Sequence, residues 1–362
     1  MKMRTRMTAA TLRPRSGLQI QSDPQSHGPV VEEIEGLIKV FKDGFVERPQ
    51  IMPCVSSSLP SGVGVASKDT VFDRFTNVWA RFYVPTYQGK CKINNKLPLV
   101  VYFHGGGFCA GSPAWSCYHE FLARLAMKAN ICIASVNYRL APENPLPAAY
   151  EDGFRVLKWL KQQALLSRDL PTTEWWRRRC NFTRVFLAGD SAGANIAHNL
   201  AARLASNNAF EAMSLRPLGF KGTILVQPFF SGEVRIESEK NLVQPPRSPL
   251  SLETADTYWR LALPSGSDRD HPWCNPVMAY SKGFYNDLDD LKLPPTLVCI
   301  SENDILRDRN LQFCQTLVTA GKVVERVVYE GVGHAFQILS KSEIAQAQTE
   351  EMMLHIESFI NQ

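Results

Sequence analysis

The chain has 362 residues, of which 44% are hydrophobic and 21% charged, with a formal net charge of +5. That length and apolar content suffice for a large buried core, and the charge is too small and too local to mark a nucleic-acid-binding surface. No apolar run approaches the roughly eighteen residues that a membrane-spanning helix needs.

Much of the basic charge sits at the start, where Lys2, Arg4, Arg6, Arg13 and Arg15 precede the first acid, Asp23, in a segment without apolar periodicity. Residues 1–28 are therefore expected to be a disordered basic tail, with an organelle transit peptide as the competing reading, and residues 29–362 a single domain. Val31, Ile34, Leu37, Ile38 and Phe41 carry apolar spacing up to a turn at Lys42-Asp43-Gly44. Leu97–Phe103 predicts a buried strand ending in His104-Gly105-Gly106-Gly107-Phe108. Tyr118, Phe121, Leu122, Leu125 and Ala126 then show the spacing of one helix face. Ile131–Tyr138 reads as a strand and Ala148–Leu165 as a helix, and this alternation argues for a mostly parallel sheet covered by helices on both faces. Trp175-Trp176 and Arg177-Arg178-Arg179 follow in a connection, and read as packed tryptophans beside solvated arginines.

Val185–Ala188 is the next strand-like run, and it leads into Gly189-Asp190-Ser191-Ala192-Gly193 and a helix with Ile196, Leu200 and Leu204 on one face. A sharp strand-to-helix turn exposes a serine hydroxyl and aims the Ala192 N–H at any oxygen that becomes negative beside it. Gly106 and Gly107 are the other expected N–H donors, because residues without side chains let the backbone approach a carbonyl closely; His104 and Gly105 support that loop. A serine hydroxyl is a poor nucleophile at neutral pH and needs a base and an orienting acid, each expected after a later strand. Thr296–Ile300 is followed by Ser301-Glu302-Asn303-Asp304, and Val324–Tyr329 by Glu330-Gly331-Val332-Gly333-His334. Asp304 is the candidate acid, with Glu302 and Asp308 as alternatives, and His334 the candidate base; His119, His198, His271 and His355 suit structural positions.

Residues 29–50 and 229–272 look additional to the sheet and are candidate cap elements over the serine, the second carrying Leu252, Tyr258, Trp259, Leu261 and Leu263 at helix-like spacing. Phe108, Phe229 and Phe336 are candidate pocket residues, with Phe230 beside them, while Cys109 reads as a small buried hydrophobe. Nine cysteines, an odd number without a Cys-x-x-Cys pair, read as reduced thiols and a cytoplasmic location, with a nuclear presence left open. Asn181-Phe182-Thr183 matches a glycosylation acceptor, a short pattern that arises often by chance.

Together, His104-Gly105-Gly106-Gly107-Phe108, Asn137-Tyr138-Arg139-Leu140-Ala141-Pro142-Glu143, Gly189-Asp190-Ser191-Ala192-Gly193-Ala194-Asn195, Asp304-Ile305-Leu306 and Gly333-His334-Ala335-Phe336 resemble the plant carboxylesterases of the hormone-sensitive-lipase-like branch of the α/β-hydrolases. The resemblance implies that fold, a Ser191–Asp304–His334 triad, an oxyanion hole at Gly106, Gly107 and Ala192, and hydrolysis of a small-molecule carboxylic ester with no cofactor and no metal. It leaves the oligomeric state open. Plant gibberellin receptors resemble the same family but lack the catalytic histidine, whose place His334 takes here. Some relatives act as dehydratases, and Gly105 stands where a dehydratase-like relative carries threonine.

Overall fold

The computed structural model describes residues 27–60, 62–86, 96–166, 175–206, 209–244, 248–284 and 288–362. Three short strands come first: β1 (Val30–Ile34) and β2 (Ile38–Phe41) pair antiparallel, and β3 (Val46–Glu47) adds to β2. The apolar spacing here serves strands, because Gly36 at φ 71° turns the chain back and buries Ile34, Ile38 and Phe41 together. The expected basic tail lies outside the described residues up to 26. His27 does not belong to it, since its ring stacks on Phe45 at 3.9 Å and its Nδ1 meets Asp43 at 2.9 Å.

The chain continues through β4 (Val65–Asp73), β5 (Val78–Pro85), β6 (Leu97–Phe103), α1 (Ser116–Lys128), β7 (Cys132–Asn137), α2 (Ala148–Leu165), β8 (Cys180–Asp190) and α3 (Ala192–Ala205). It then forms α4 (Ala209–Ser214), β9 (Phe220–Val226), α5 (Glu237–Asn241), α6 (Leu252–Ala262), α7 (Pro276–Ser281), β10 (Thr296–Asn303), α8 (Arg307–Thr319), β11 (Val324–Gly333), α9 (Phe336–Leu339) and α10 (Glu343–Asn361). The main sheet has the order β11-β10-β9-β8-β6-β7-β5-β4. From β11 to β7 neighbouring strands run parallel, and β5 is antiparallel to both of its neighbours.

The central strands place apolar residues on both faces because both faces are covered. Leu99, Val101 and Phe103 of β6 pack with Val185 and Leu187 of β8 beneath α2, α3 and α8, whereas Val100 and Tyr102 pack with Phe186 and Ala188 beneath α1 and α10. Parallel pairing also puts the carboxyl ends of these strands along one edge, where loops can converge. Phe103 pairs with Gly189, Asp190 with Val226, and Asn303 with Gly333, so the segments after β6, β8, β10 and β11 leave the sheet side by side.

One expectation fails in the connection before β8. Trp176 is buried and stacks on Phe82 at 4.1 Å, as packed tryptophans should. Arg177, however, is 5% exposed, and its Nη1 donates to the carbonyls of Gln163 and Leu166 at 3.1 and 2.9 Å. Helix ends leave carbonyls without intrahelical partners, and this guanidinium serves those at the end of α2 instead of meeting solvent. Arg177→Ala is expected to lower unfolding free energy by about 1–3 kcal/mol, while Arg178→Ala at the exposed neighbour changes it by less than about 0.5 kcal/mol. Urea unfolding of both variants checks this, and equal effects would overturn the capping role.

Candidate active site

Ser191 sits between β8 and α3 with φ 52° and ψ −119°, a region that non-glycine residues rarely occupy. Its neighbours over-determine that conformation. The Ser191 N–H donates to the Val226 carbonyl at 2.8 Å, and its own carbonyl accepts from Asn195 at 3.1 Å and Phe229 at 3.0 Å. The turn also needs the end of β6 to come very close: a Cβ on Gly193 would overlap the Phe103 carbonyl, which is the physical reason for glycine there. Asn195 in the next turn bonds the Phe229 and Trp273 carbonyls at 3.0 and 2.7 Å, so α3 grips both ends of the 229–272 insertion.

His334 and Asp304 arrive from the ends of β11 and β10. His334 Nδ1 donates to Asp304 Oδ2 at 2.7 Å, and its Nε2 lies 3.0 Å from Ser191 Oγ. A carboxylate only accepts, so it puts the imidazole proton on Nδ1 and leaves Nε2 free to accept from the serine hydroxyl. All three side chains are buried. The Leu306 N–H holds the other Asp304 oxygen at 3.0 Å. The buried Gln227 accepts from the Ala335 N–H at 2.7 Å and donates to Ser301, tying the histidine loop to β10. The alternative acids face elsewhere: Asp308 pairs with Arg307 and accepts from the Ser238 N–H, and Glu302 accepts from the Gly331 N–H. Of the other histidines, His119 lies against Tyr83 and Arg81, His355 against the Tyr329 hydroxyl, and His271 accepts from the Trp273 N–H through its own Nδ1. His198 is packed between Phe230 and Phe313, where burial pushes its pKa down to about 3.

The glycine loop follows β6. Gly106 at φ 111° and Gly107 at φ 59° fold it back, and the N–H groups of Cys109 and Ala110 both close onto the Gly106 carbonyl. Among the described residues, the N–H groups of Gly106, Gly107 and Ala192 meet no protein acceptor. Ala192 opens α3, where the helix dipole adds positive potential. His104 is held neutral beneath the loop, its pKa pushed down to about 4 by burial, with Nδ1 donating to the Gly105 carbonyl at 2.8 Å and the ring stacked on Tyr138 at 4.3 Å.

A cavity of about 260 Å³ opens above these groups. Leu37, Ile51 and Met52 wall it from the N-terminal segment, Phe229, Pro249, Leu250 and Tyr258 from the insertion, and Trp115, Ile338 and Leu339 from the main body. The two added segments are joined by an Arg260–Glu32 ion pair at 3.0 Å. Tyr258 presses on the glycine loop, since a Cβ on Gly107 would overlap its ring. Arg48 fastens the N-terminal wall: Nε donates to the Cys109 carbonyl at 2.7 Å, Nη2 to the Ala141 carbonyl at 2.7 Å, and Nη1 to Glu143 at 2.6 Å.

Of the phenylalanines expected to line the pocket, Phe229 does. Phe108 does not: at 1% exposure its ring turns inward onto Tyr150, Phe229 and Trp259, because φ 64° at that residue points it into the core. Phe336 does not line this cavity either, since its ring packs on Tyr329 under α10 while Ala335 and Ile338 face the cavity. Phe230 packs on Phe313 beneath the floor. Sequence reading missed Arg48, Gln227, Ile51, Met52 and Trp115 because their partners lie far along the chain and no local period marks them. Arg48→Ala is expected to release the wall it fastens, and hydrogen exchange should rise at least tenfold across residues 48–55 with β6 and β8 unchanged. Uniform protection in the variant would contradict the fastening role.

The comparisons with known proteins agree on the family. A model described as the α/β-hydrolase fold matches residues 100–338. The chain is 50% identical to probable carboxylesterase 6 of Arabidopsis thaliana over 92% of this chain and 93% of that one, and 34% identical to a gibberellin receptor of the same plant over 82% and 81%. Among solved structures it resembles an esterase of Pyrobaculum calidifontis with a TM-score of 0.63 and 27% identity, covering 81% of this chain and 84% of that one. With its doubly covered, mostly parallel sheet and these matches, the chain belongs to the α/β-hydrolase family, among relatives that include plant carboxylesterases.

Proposed function

We propose that the protein hydrolyses carboxylic esters through a serine acyl-enzyme. The reading rests on one observation: an unbroken chain of contacts runs from Asp304 through His334 to Ser191, in a cavity that Gly106 and Gly107 also line and where, among the described residues, their N–H groups meet no protein acceptor. As His334 Nε2 takes the hydroxyl proton, Ser191 Oγ attacks the ester carbonyl carbon, and the carbonyl oxygen becomes an oxyanion held by Gly106, Gly107 and Ala192. Asp304 stabilises the imidazolium. The C–O bond to the alcohol then breaks, and the imidazolium gives its proton to the departing oxygen. Water repeats the sequence on the acyl-enzyme, with His334 again taking the proton, and frees the acid. These steps call on no cofactor.

The apolar walls around the 260 Å³ cavity suit a small or medium apolar acyl group. A receptor that binds without turnover has no use for a base bonded to the serine, so the His334–Ser191 contact favours the enzyme. The described cysteines are free thiols, all but Cys54 buried, which suits a reducing compartment, and the cytoplasm is the location we propose. No helix among the described residues is long and apolar enough to cross a membrane.

Ser191→Ala should lower kcat on a short-chain p-nitrophenyl ester by about a millionfold with an unchanged circular dichroism spectrum. Activity within tenfold of the unsubstituted protein would reject the assignment. Asp304→Asn should lower kcat by about ten-thousandfold by favouring the wrong imidazole tautomer, whereas Asp308→Asn leaves it within about threefold. The reverse order would move the acid to Asp308.

A further inference from the structure

Beside the serine lies a carboxylate that the mechanism above does not use. Asp190 ends β8, is 1% exposed, and its described hydrogen-bond partners are two phenols and one backbone N–H. Its Oδ1 accepts from the Tyr102 hydroxyl at 2.8 Å and from the Gly105 N–H at 3.1 Å, and its Oδ2 accepts from the Tyr118 hydroxyl at 2.8 Å. Tyr118 closes the ring by accepting from the same Gly105 N–H at 2.7 Å. A Cβ on Gly105 would come within 2.6 Å of Oδ2, so the loop backbone is pressed directly onto the carboxylate.

We propose that Asp190 is a charged positioning residue for ester cleavage, its carboxylate holding Gly105 and thereby fixing the glycine loop against the serine turn. The proposal rests on the esterase reading. A buried carboxylate without a cationic partner is costly compared with a neutral residue of the same shape. Charge-assisted hydrogen bonds are stronger than neutral ones, and here they join the loop carrying Gly106 and Gly107 to the residue preceding Ser191. A misplaced donor loses most of its effect on an oxyanion. The field of a protonated His334 in turn favours the negative form of Asp190. The titratable groups facing Asp190 are Tyr102 from β6, Tyr118 and Cys117 from α1, Tyr138 after β7, and His334. Burial pushes the Asp190 carboxyl up to about 6, opposed by the hydrogen bonds from Tyr118 and Tyr102. Loss of its charge on acidification therefore overlaps the range in which a histidine base is protonated.

The test compares the full-length protein with Asp190→Asn and Tyr118→Phe on p-nitrophenyl butyrate across about pH 4.5 to 8, with thermal unfolding in parallel. Asp190→Asn is expected to lower kcat about 10- to 100-fold with KM within about threefold, because Asp190 is one lining residue among many and the substitution keeps its size. The acid limb of log(kcat/KM) should approach a slope of two in the unsubstituted protein and one in Asp190→Asn. Tyr118→Phe removes a donor that favours the charged carboxylate, so its acid limb should move to higher pH. A kcat within threefold and an unchanged slope in Asp190→Asn would overturn the proposal, as would a rise in KM alone. If Asp190→Asn does not fold, Tyr118→Phe decides: a shifted limb supports the role and an unmoved limb rejects it. An unsubstituted protein inactive on all esters would instead remove the esterase reading itself.

Discussion

Ser191 is held in a backbone conformation that its side chain disfavours, and much of the site depends on how that strain is sustained. The Val226 carbonyl, the Phe229 and Asn195 N–H groups and the close approach of Gly193 to Phe103 enforce it from three directions. The supports come from β9 and the loop after it, from α3, and from the end of β6. The geometry at one residue is thus a property of the β6–β8–β9 register, and a local change in any of the three would be felt at the hydroxyl.

The same register explains the polar side. Asp304 and His334 are thirty residues apart in sequence but end neighbouring parallel strands, with Asn303 opposite Gly333. Gln227, at the end of β9, then clamps Ala335, so three successive strands determine where the imidazole stands. The apolar side is assembled differently. Two segments outside the sheet supply much of the wall, fastened by Arg48 to the glycine loop, by Asn195 to the serine helix and by a buried Arg309–Glu239 pair to α8. The candidate catalytic groups therefore follow directly from sheet strands, whereas the cavity walls are tied to the body by these polar contacts together with apolar packing.

Strands β6, β7, β8, β10 and β11, the two glycine-rich motifs, and Ser191, Asp304 and His334 as candidates were all legible in the sequence, whereas β4, β5 and β9 were not read from it. Strand burial writes itself as continuous apolar runs, and a strand-to-helix turn or a close backbone approach demands glycine at fixed offsets. The order serine, acid, histidine follows from chain direction in a parallel sheet. These are local consequences of backbone geometry, and local consequences leave local patterns.

What only the tertiary structure decided are the matters of side-chain direction and distant pairing. A positive φ turned Phe108 away from the cavity, packing under α10 took Phe336 from it, and the carbonyls at the end of α2 drew Arg177 out of solvent. The choice of Asp304 over Asp308 as the histidine's partner depends on which carboxylate faces the β11 loop, and neighbours four residues apart look alike in sequence. Composition and spacing report what a residue can do, but hydrogen bonds across 60 to 140 residues arise only when the sheet has closed, because only then do their partners share a position in space.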